Sequence, residues 1–308
     1  MVDALHANFP HAKIDFLVNK RVSELIFDYP NINKVHTIEK ESTRIIKEIC
    51  SGNNYDIVIV VSPKFSIALG VYLGGVKYRL GTKYRWYSFL FNIQHAQHRK
   101  HSIKHEMEYN LDLLDEINCN NIKGLIPLLN VKDEYIDSIY KILSDKGIDL
   151  KTKIITIHIP TLGSAKVWSD DNFISLINLL TKEKINIILI GKDEEKSHLE
   201  RILNKVIDKS HVYSITGLSL RELTALLKIT KLFIGNSSGP IHIAAAVETF
   251  VIGLYSPVKV ESPVRWGPLT DKKKIFVPEK DDDSRDVMDD IKVEEVFEFT
   301  QKYIKTLH

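Results

Sequence analysis

Short apolar runs rich in β-branched residues recur along this chain, at residues 55–61, 153–159, 185–190, 231–235 and 250–255. Runs of this length with polar borders fit strands buried on both faces of a parallel sheet. Between them apolar positions return at helical spacing, which predicts helices over 64–74, 170–183, 193–207, 219–228 and 240–247. Weaker patterns predict strands at 13–18, 34–38, 76–80 and 212–215, and helices at 1–9, 20–28, 41–50, 105–117, 133–146 and 293–306. Strand and helix alternate throughout, so the class is α/β with two halves of similar kind. Residues 118–153 hold Pro127 and many polar positions and read as the crossing between the halves. The predicted domains are residues 1–150 and 151–292, with a closing helix in 293–308.

The length of 308 residues suits two ordinary domains with two cores. A net charge of +2 gives no general drive toward nucleic acid. The start of the chain lacks a basic segment followed by an apolar one, so it does not read as a secretory signal. No apolar run approaches the ~20 residues needed to span a bilayer. Cys50 and Cys119 lie far apart in sequence and are expected to be free thiols in a reducing, cytoplasmic setting.

Residues 77–105 change that balanced picture. They hold Lys77, Arg79, Lys83, Arg85, Arg99, Lys100, Lys104 and four histidines, without one Asp or Glu. Trp86, Tyr87, Phe89, Leu90 and Phe91 lie in the middle. Such a stretch suits an anionic membrane surface or an acidic lipid-linked substrate, and equally a solvated basic loop over a small buried patch.

The strongest chemical signal lies in residues 232–257, where a buried strand runs into Gly235-Asn236-Ser237-Ser238-Gly239 and then a helix opened by Pro240. Small residues let the backbone approach a ligand, and a helix N-terminus offers N–H groups to an anion such as a diphosphate. Proline suits the first helical position because its missing N–H would be unpaired there. Ser237 or Ser238 is placed to cap the helix, and His242 falls in its first turn. An ordinary capped turn has the same composition, so both readings stand at this point. Lys166 follows the small-residue stretch Gly163-Ser164-Ala165 after a strand, where a lysine reaches a phosphate as a point charge or is simply solvated. Glu194 and Glu195 follow the strand 185–190 and suit either ribose hydroxyls or the start of a helix. There is no P-loop, no Gly-x-Gly-x-x-Gly and no zinc spacing. Asp281-Asp282-Asp283 reads as a solvated loop rather than a metal site.

Taken together, these segments resemble glycosyltransferase family 9, the ADP-heptose:lipopolysaccharide heptosyltransferases. The resemblance runs in order from Ala12-Lys13-Ile14-Asp15 through His105-Glu106, Gly163-Ser164-Ala165-Lys166, Gly217-Leu218-Ser219 and residues 232–257 to Arg265-Trp266-Gly267-Pro268. It implies a GT-B fold, two Rossmann-like domains facing a central cleft, with the N-terminal domain lacking its first strand. It implies transfer of a heptose, with inversion, from a nucleotide-diphosphate donor such as ADP-heptose to a lipid-linked lipopolysaccharide-core acceptor. The donor is a substrate, and neither a metal nor another cofactor is expected. Donor-side residues would be Lys166, Ser164, Ser237, Ser238, Gly239 and His242, with Glu194 or Glu195 on the ribose; Lys83, Arg85 and Arg79 would serve the acceptor side. The family's general-base Asp belongs to a segment upstream of the point where Met1 aligns, so no catalytic residue is assigned. The expected setting is cytoplasmic, peripheral on the inner face of the inner membrane. Alternatives are an inactive member that still binds a nucleotide-sugar or a partner, and a nucleotide-sugar epimerase on the same fold.

Overall fold

The computed structural model describes residues 1–119, 126–160, 166–279 and 285–307. The chain divides into two compact units, Met1–Leu125 and Ile126–His308. The boundary expected after residue 150 therefore lies earlier. The physical reason is the helix Asp133–Asp145, which packs within the second unit: Ser138 Oγ donates to Glu222 at 3.2 Å and Arg221 donates to the Tyr135 hydroxyl at 2.8 Å.

Unit one contains α1 (Val2–Asn8), β1 (Asp15–Asn19), β2 (Lys34–Ile38), α2 (Thr43–Asn53), β3 (Ile57–Ile59), α3 (Phe65–Leu73), β4 (Tyr78–Thr82), β5 (Ile93–His95) and α4 (Glu106–Leu111). Strands β1 and β2 pair in parallel, and β3, β4 and β5 form a separate parallel sheet in that order. The helix predicted at 20–28 is a 3-10 turn, Lys20–Leu25, started by the Asn19 side chain accepting from Arg21 N–H. The one predicted at 105–117 is α4 followed by a 3-10 segment, Asp112–Ile117. Ile46, Ala68, Val71, Val76, Tyr87, Leu90 and Phe91 build the main core. At Gly81 a Cβ would lie 2.6 Å from the Phe91 ring, so only glycine lets that ring close over β4. Cys50 and Cys119 are buried and unbridged, and burial pushes the Cys50 thiol up to about 11.

Unit two contains α5 (Asp133–Asp145), β6 (Ile154–His158), α6 (Asp170–Leu180), β7 (Asn186–Gly191), α7 (Lys196–Lys205), β8 (Val212–Thr216), α8 (Leu220–Ile229), β9 (Leu232–Asn236), α9 (Gly239–Ala246), β10 (Phe250–Leu254), α10 (Pro263–Trp266), β11 (Lys273–Phe276) and α11 (Val293–Thr306). Its six strands are all parallel, in the order β11-β10-β9-β6-β7-β8. Ile155, Ile157, Ile187, Leu189, Leu232, Ile234, Ile252 and Leu254 alternate along the strands and pack with α6, α7 and α11. The opposite face meets α8, where Thr156 and Thr230 share a buried hydrogen bond of 2.7 Å. Coverage of both faces explains why these strands read as continuous apolar runs. The chain moves outward from β6 through β7 to β8, then returns to β9 on the other side of β6. The order thus reverses between β6 and β9, the place where open α/β sheets leave a crevice at their C-terminal ends.

Candidate functional site

Strands β6 and β9 end at that crevice with His158 and Asn236. Gly235 keeps the packing close here: a Cβ would sit tightly, 3.1 Å from the Phe233 ring and 3.3 Å from the His158 carbonyl. Asn236 is buried, its amide donates to Leu254 O at 3.3 Å, and its Oδ1 has no hydrogen-bond partner. Ser237 and Ser238 then turn the chain into α9, with Ser238 extended at the N-cap and Pro240 in the first turn. This places the first N–H groups of an eight-residue helix at the crevice.

Both serines are backed by buried side chains. Ser238 Oγ lies 3.2 Å from His158 Nδ1. Burial pushes the His158 imidazole down to about 4, so it is neutral at neutral pH; nearby Glu195 opposes the shift and Lys192 adds to it. When its Nδ1 carries the proton, the ring donates to Ser238 and leaves the serine hydroxyl hydrogen available to a ligand. Ser237 lies beside the fully buried Tyr255, whose hydroxyl donates to Trp266 O at 2.9 Å. Burial raises the Tyr255 phenol well above its ordinary value. Tyr255 therefore ties the serine turn to α10.

These groups line a cleft of about 400 Å³ whose walls are Lys166, Ser237, Ser238, Gly239, His242, Ser256, Glu261 and Trp266. Lys166 approaches from the end of the β6 loop. Its segment is anchored by Trp168, which is buried, donates to Ile291 O at 3.0 Å and meets Phe173 edge-on at 5.0 Å. Ser169 then caps α6. A lysine, the serine hydroxyls and a helix N-terminus around one cleft form an environment for an anion, with Glu261 the one acidic side chain on its wall among the described residues.

The structure thus brings together five of the residues expected on the donor side: Lys166, Ser237, Ser238, Gly239 and His242. Ser164 lies outside the described residues, as do Asp281, Asp282 and Asp283. Glu194 and Glu195 follow β7 and do not line this cleft; Glu195 accepts from Lys192 N–H at 2.8 Å, closing its own turn, while Glu194 is exposed. Three cleft residues carried no chemical reading in the sequence: Ser256, Glu261 and the Trp266 wall. Glu261 Oε2 is buried without a hydrogen-bond partner. No sequence pattern pointed to His158, since a histidine inside an apolar run reads as core.

In unit one, Lys83 and Arg85 are exposed on the loop after β4. Arg79 belongs elsewhere. It lies at the start of β4 and donates to Leu90 O at 2.8 Å and Val76 O at 2.6 Å, which makes it a structural clamp rather than an acceptor-facing cation. Among the described residues, no group of three or more His, Cys, Asp or Glu is placed to hold a metal ion.

The family model for glycosyltransferase family 9 (heptosyltransferase) matches residues 42–292. The chain belongs to this family. The glycosyltransferase is 26% identical over 296 residues to lipopolysaccharide heptosyltransferase 3 of Escherichia coli K12, covering 88% of this chain and 80% of the relative. It is 22% identical to lipooligosaccharide heptosyltransferase 2 of Haemophilus influenzae, covering 88% and 82%. Among solved structures, a family 9 glycosyl transferase of Veillonella parvula superposes with a TM-score of 0.86 at 16% identity, covering 99% and 92%. Escherichia coli ADP-heptose lps heptosyltransferase II does so with a TM-score of 0.81 at 19% identity, covering 99% and 93%. The fold of this glycosyltransferase is accordingly GT-B, and membership of family 9 places it with sugar transferases rather than epimerases.

Proposed function

We propose that this glycosyltransferase moves a heptose from an ADP-linked donor to a lipid-linked lipopolysaccharide-core acceptor, and that the unit-two cleft holds the donor's diphosphate. In the transfer, the bond between the sugar's anomeric carbon and the diphosphate breaks as the acceptor hydroxyl oxygen bonds to that carbon, and the hydroxyl proton passes to a base or to solvent. Negative charge grows on the departing diphosphate. Groups already oriented toward that charge stabilise the transition state more than the ground state. Lys166 supplies the cation, and the Ser238 hydroxyl and the N-terminal N–H groups of α9 supply donors. The reading takes no cofactor, with Lys166 supplying the positive charge for the leaving group; transfer unaffected by a chelator tests this. The acceptor meets unit one through Lys83 and Arg85, at the cytoplasmic face of the inner membrane. Among the described residues no helix is long and apolar enough to cross a membrane, so contact with lipid is taken as peripheral.

The observation that carries this reading is the convergence of Lys166, Ser238 and the α9 N-terminus on one cleft at the β6/β9 reversal. Calorimetric titration with ADP tests it. Lys166→Ala is expected to weaken binding roughly tenfold to a hundredfold, the loss of one charge-assisted contact of about 1.5–3 kcal/mol. Equal affinity in wild type and variant rejects the assignment. Binding of ADP without transfer from ADP-heptose to any core acceptor rejects the enzyme reading and leaves a nucleotide-sugar binder.

A further inference from the structure

The loop after β4 is built to keep two large aromatic rings out of the core. Tyr87, Leu90 and Phe91 turn inward and are buried, while Trp86 and Phe89 are 73% and 72% exposed. The exposure is not slack in the chain. The Tyr87 hydroxyl donates to Pro63 O, Ser88 Oγ donates to Thr82 O at 2.9 Å, and Arg85 N–H donates to Ser88 Oγ at 2.9 Å. Phe91 is locked over Gly81. Phe65, itself 40% exposed, lies against Trp86 with ring centroids 4.7 Å apart, which widens the apolar surface.

Cations frame that surface. Across the basic stretch the structure pairs Arg99 with Glu106, Lys104 with Asp112 and His95 with Glu116. It leaves Lys83 and Arg85, which flank Tyr84 and adjoin Trp86, exposed and without an ion pair among the described residues. The loop also sits at the C-terminal end of its strand, the edge where open α/β sheets present their functional loops. An uncovered tryptophan and phenylalanine beside unpaired cations match the interface of an anionic bilayer. Aromatic rings settle there at the headgroup level, and each nearby Lys or Arg gains from the surface potential. A second copy of the chain fits poorly, because a two-fold contact through this patch brings Lys83 and Arg85 against their own images.

We propose that Trp86 and Phe89 are the membrane anchors of this glycosyltransferase, inserting into an anionic phospholipid surface while Lys83 and Arg85 hold its headgroups. The inference rests on the lipid-linked acceptor reading above, and it names the residues that bring the enzyme to the lipid. Sedimentation of the full chain with phosphatidylcholine vesicles, with and without phosphatidylglycerol, tests it. Wild type is expected to partition onto the phosphatidylglycerol vesicles and hardly onto phosphatidylcholine alone. Trp86→Ser with Phe89→Ser is expected to lower partitioning at least about tenfold, from the apolar area no longer buried. Lys83→Gln with Arg85→Gln is expected to lower it about tenfold and to remove most of its salt sensitivity. Wild-type tryptophan fluorescence is expected to be quenched by brominated lipid, and Trp86→Phe to remove that quenching; this readout does not depend on the double variants folding well. Equal partitioning of wild type and both double variants overturns the proposal. So does a wild type that ignores phosphatidylglycerol, or one that dimerises in solution through a contact the aromatic variant abolishes. ADP affinity separates this inference from the transfer reading. Failure on vesicles with ADP binding intact removes only the anchor, whereas vesicle binding without ADP binding removes the donor site and leaves the anchor.

Discussion

The cleft in unit two and the loop after β4 in unit one both gather polar and aromatic residues, yet they treat them in opposite ways. In the cleft the turn that would meet a ligand is braced beforehand: His158 holds Ser238, and Tyr255 lies behind Ser237 and donates to the Trp266 carbonyl, while Glu261 Oε2 stays without a partner. In the loop the backbone is tied down, while Lys83, Arg85, Trp86 and Phe89 stand in solvent. The first arrangement suits a small anion bound in one geometry, since prepositioned donors lose little freedom on binding. The second suits a broad, deformable partner that rewards exposed apolar area and net charge rather than exact placement. Two tryptophans mark the difference: Trp168 is 1% exposed behind the cleft, and Trp86 is 73% exposed on the loop.

The largest test of that contrast is Trp168→Ala. The ring fills the core between β6 and α6 and donates to Ile291 O. Its removal is expected to cost about 3–5 kcal/mol in urea unfolding, as for other buried aromatics. Because it anchors the segment that carries Lys166, ADP binding is expected to weaken as well. A loss below about 1 kcal/mol is incompatible with the packing described.

A middle-sized effect comes from His158. Its folded value of about 4 lies below the ordinary value of 6.5, because burial disfavours the imidazolium. Below pH 6.5 the unfolded chain takes up a proton that the folded chain refuses until near pH 4. The unfolded state therefore binds more protons, and stability falls as pH drops through this window. The expected loss attributable to His158 between pH 7 and pH 5 is about 2 kcal/mol. His158→Asn, which cannot be protonated there, is expected to flatten the pH dependence of the urea midpoint by that amount. An unchanged slope means the ring is protonated or solvated in the folded state, and the cleft is then less preorganised than its hydrogen bonds indicate.

The sequence made much of this legible, and the residues it missed share a physical cause. The strands and helices of unit two were readable because strands covered on both faces are uninterrupted apolar runs. Strands β5 and β11 were not, because β5 is only three residues long and β11 begins with Lys273 and Lys274, which leaves neither an apolar run to read. Lys166, Ser237, Ser238, Gly239 and His242 stood out through local turn chemistry. His158 did not, since its partner Ser238 is 80 residues away and meets it only through the strand order. Glu261 and Trp266 join the cleft by the same long route. The basic stretch of 77–105 was visible as composition, but only packing separates Arg79, which closes on carbonyls, from Lys83 and Arg85, which face solvent. The same packing divides the aromatic cluster into Tyr87, Leu90 and Phe91 inside and Trp86 and Phe89 outside.

The smallest expected effect sharpens the comparison most, because it asks for a null where the residue type predicts a large loss. Trp86→Ala removes as many atoms as Trp168→Ala. Its ring, however, meets the Phe65 ring and the edge of Tyr87 at the surface, and most of its area is already hydrated. Burial that does not occur on folding contributes nothing to folding, so the expected change in urea unfolding is within about 0.5 kcal/mol. A gain in solubility is expected alongside, from the smaller exposed apolar patch. A loss of about 2 kcal/mol or more in the isolated protein contradicts this, since it shows the ring to be part of the core. The exposed position would then no longer count as kept for a partner.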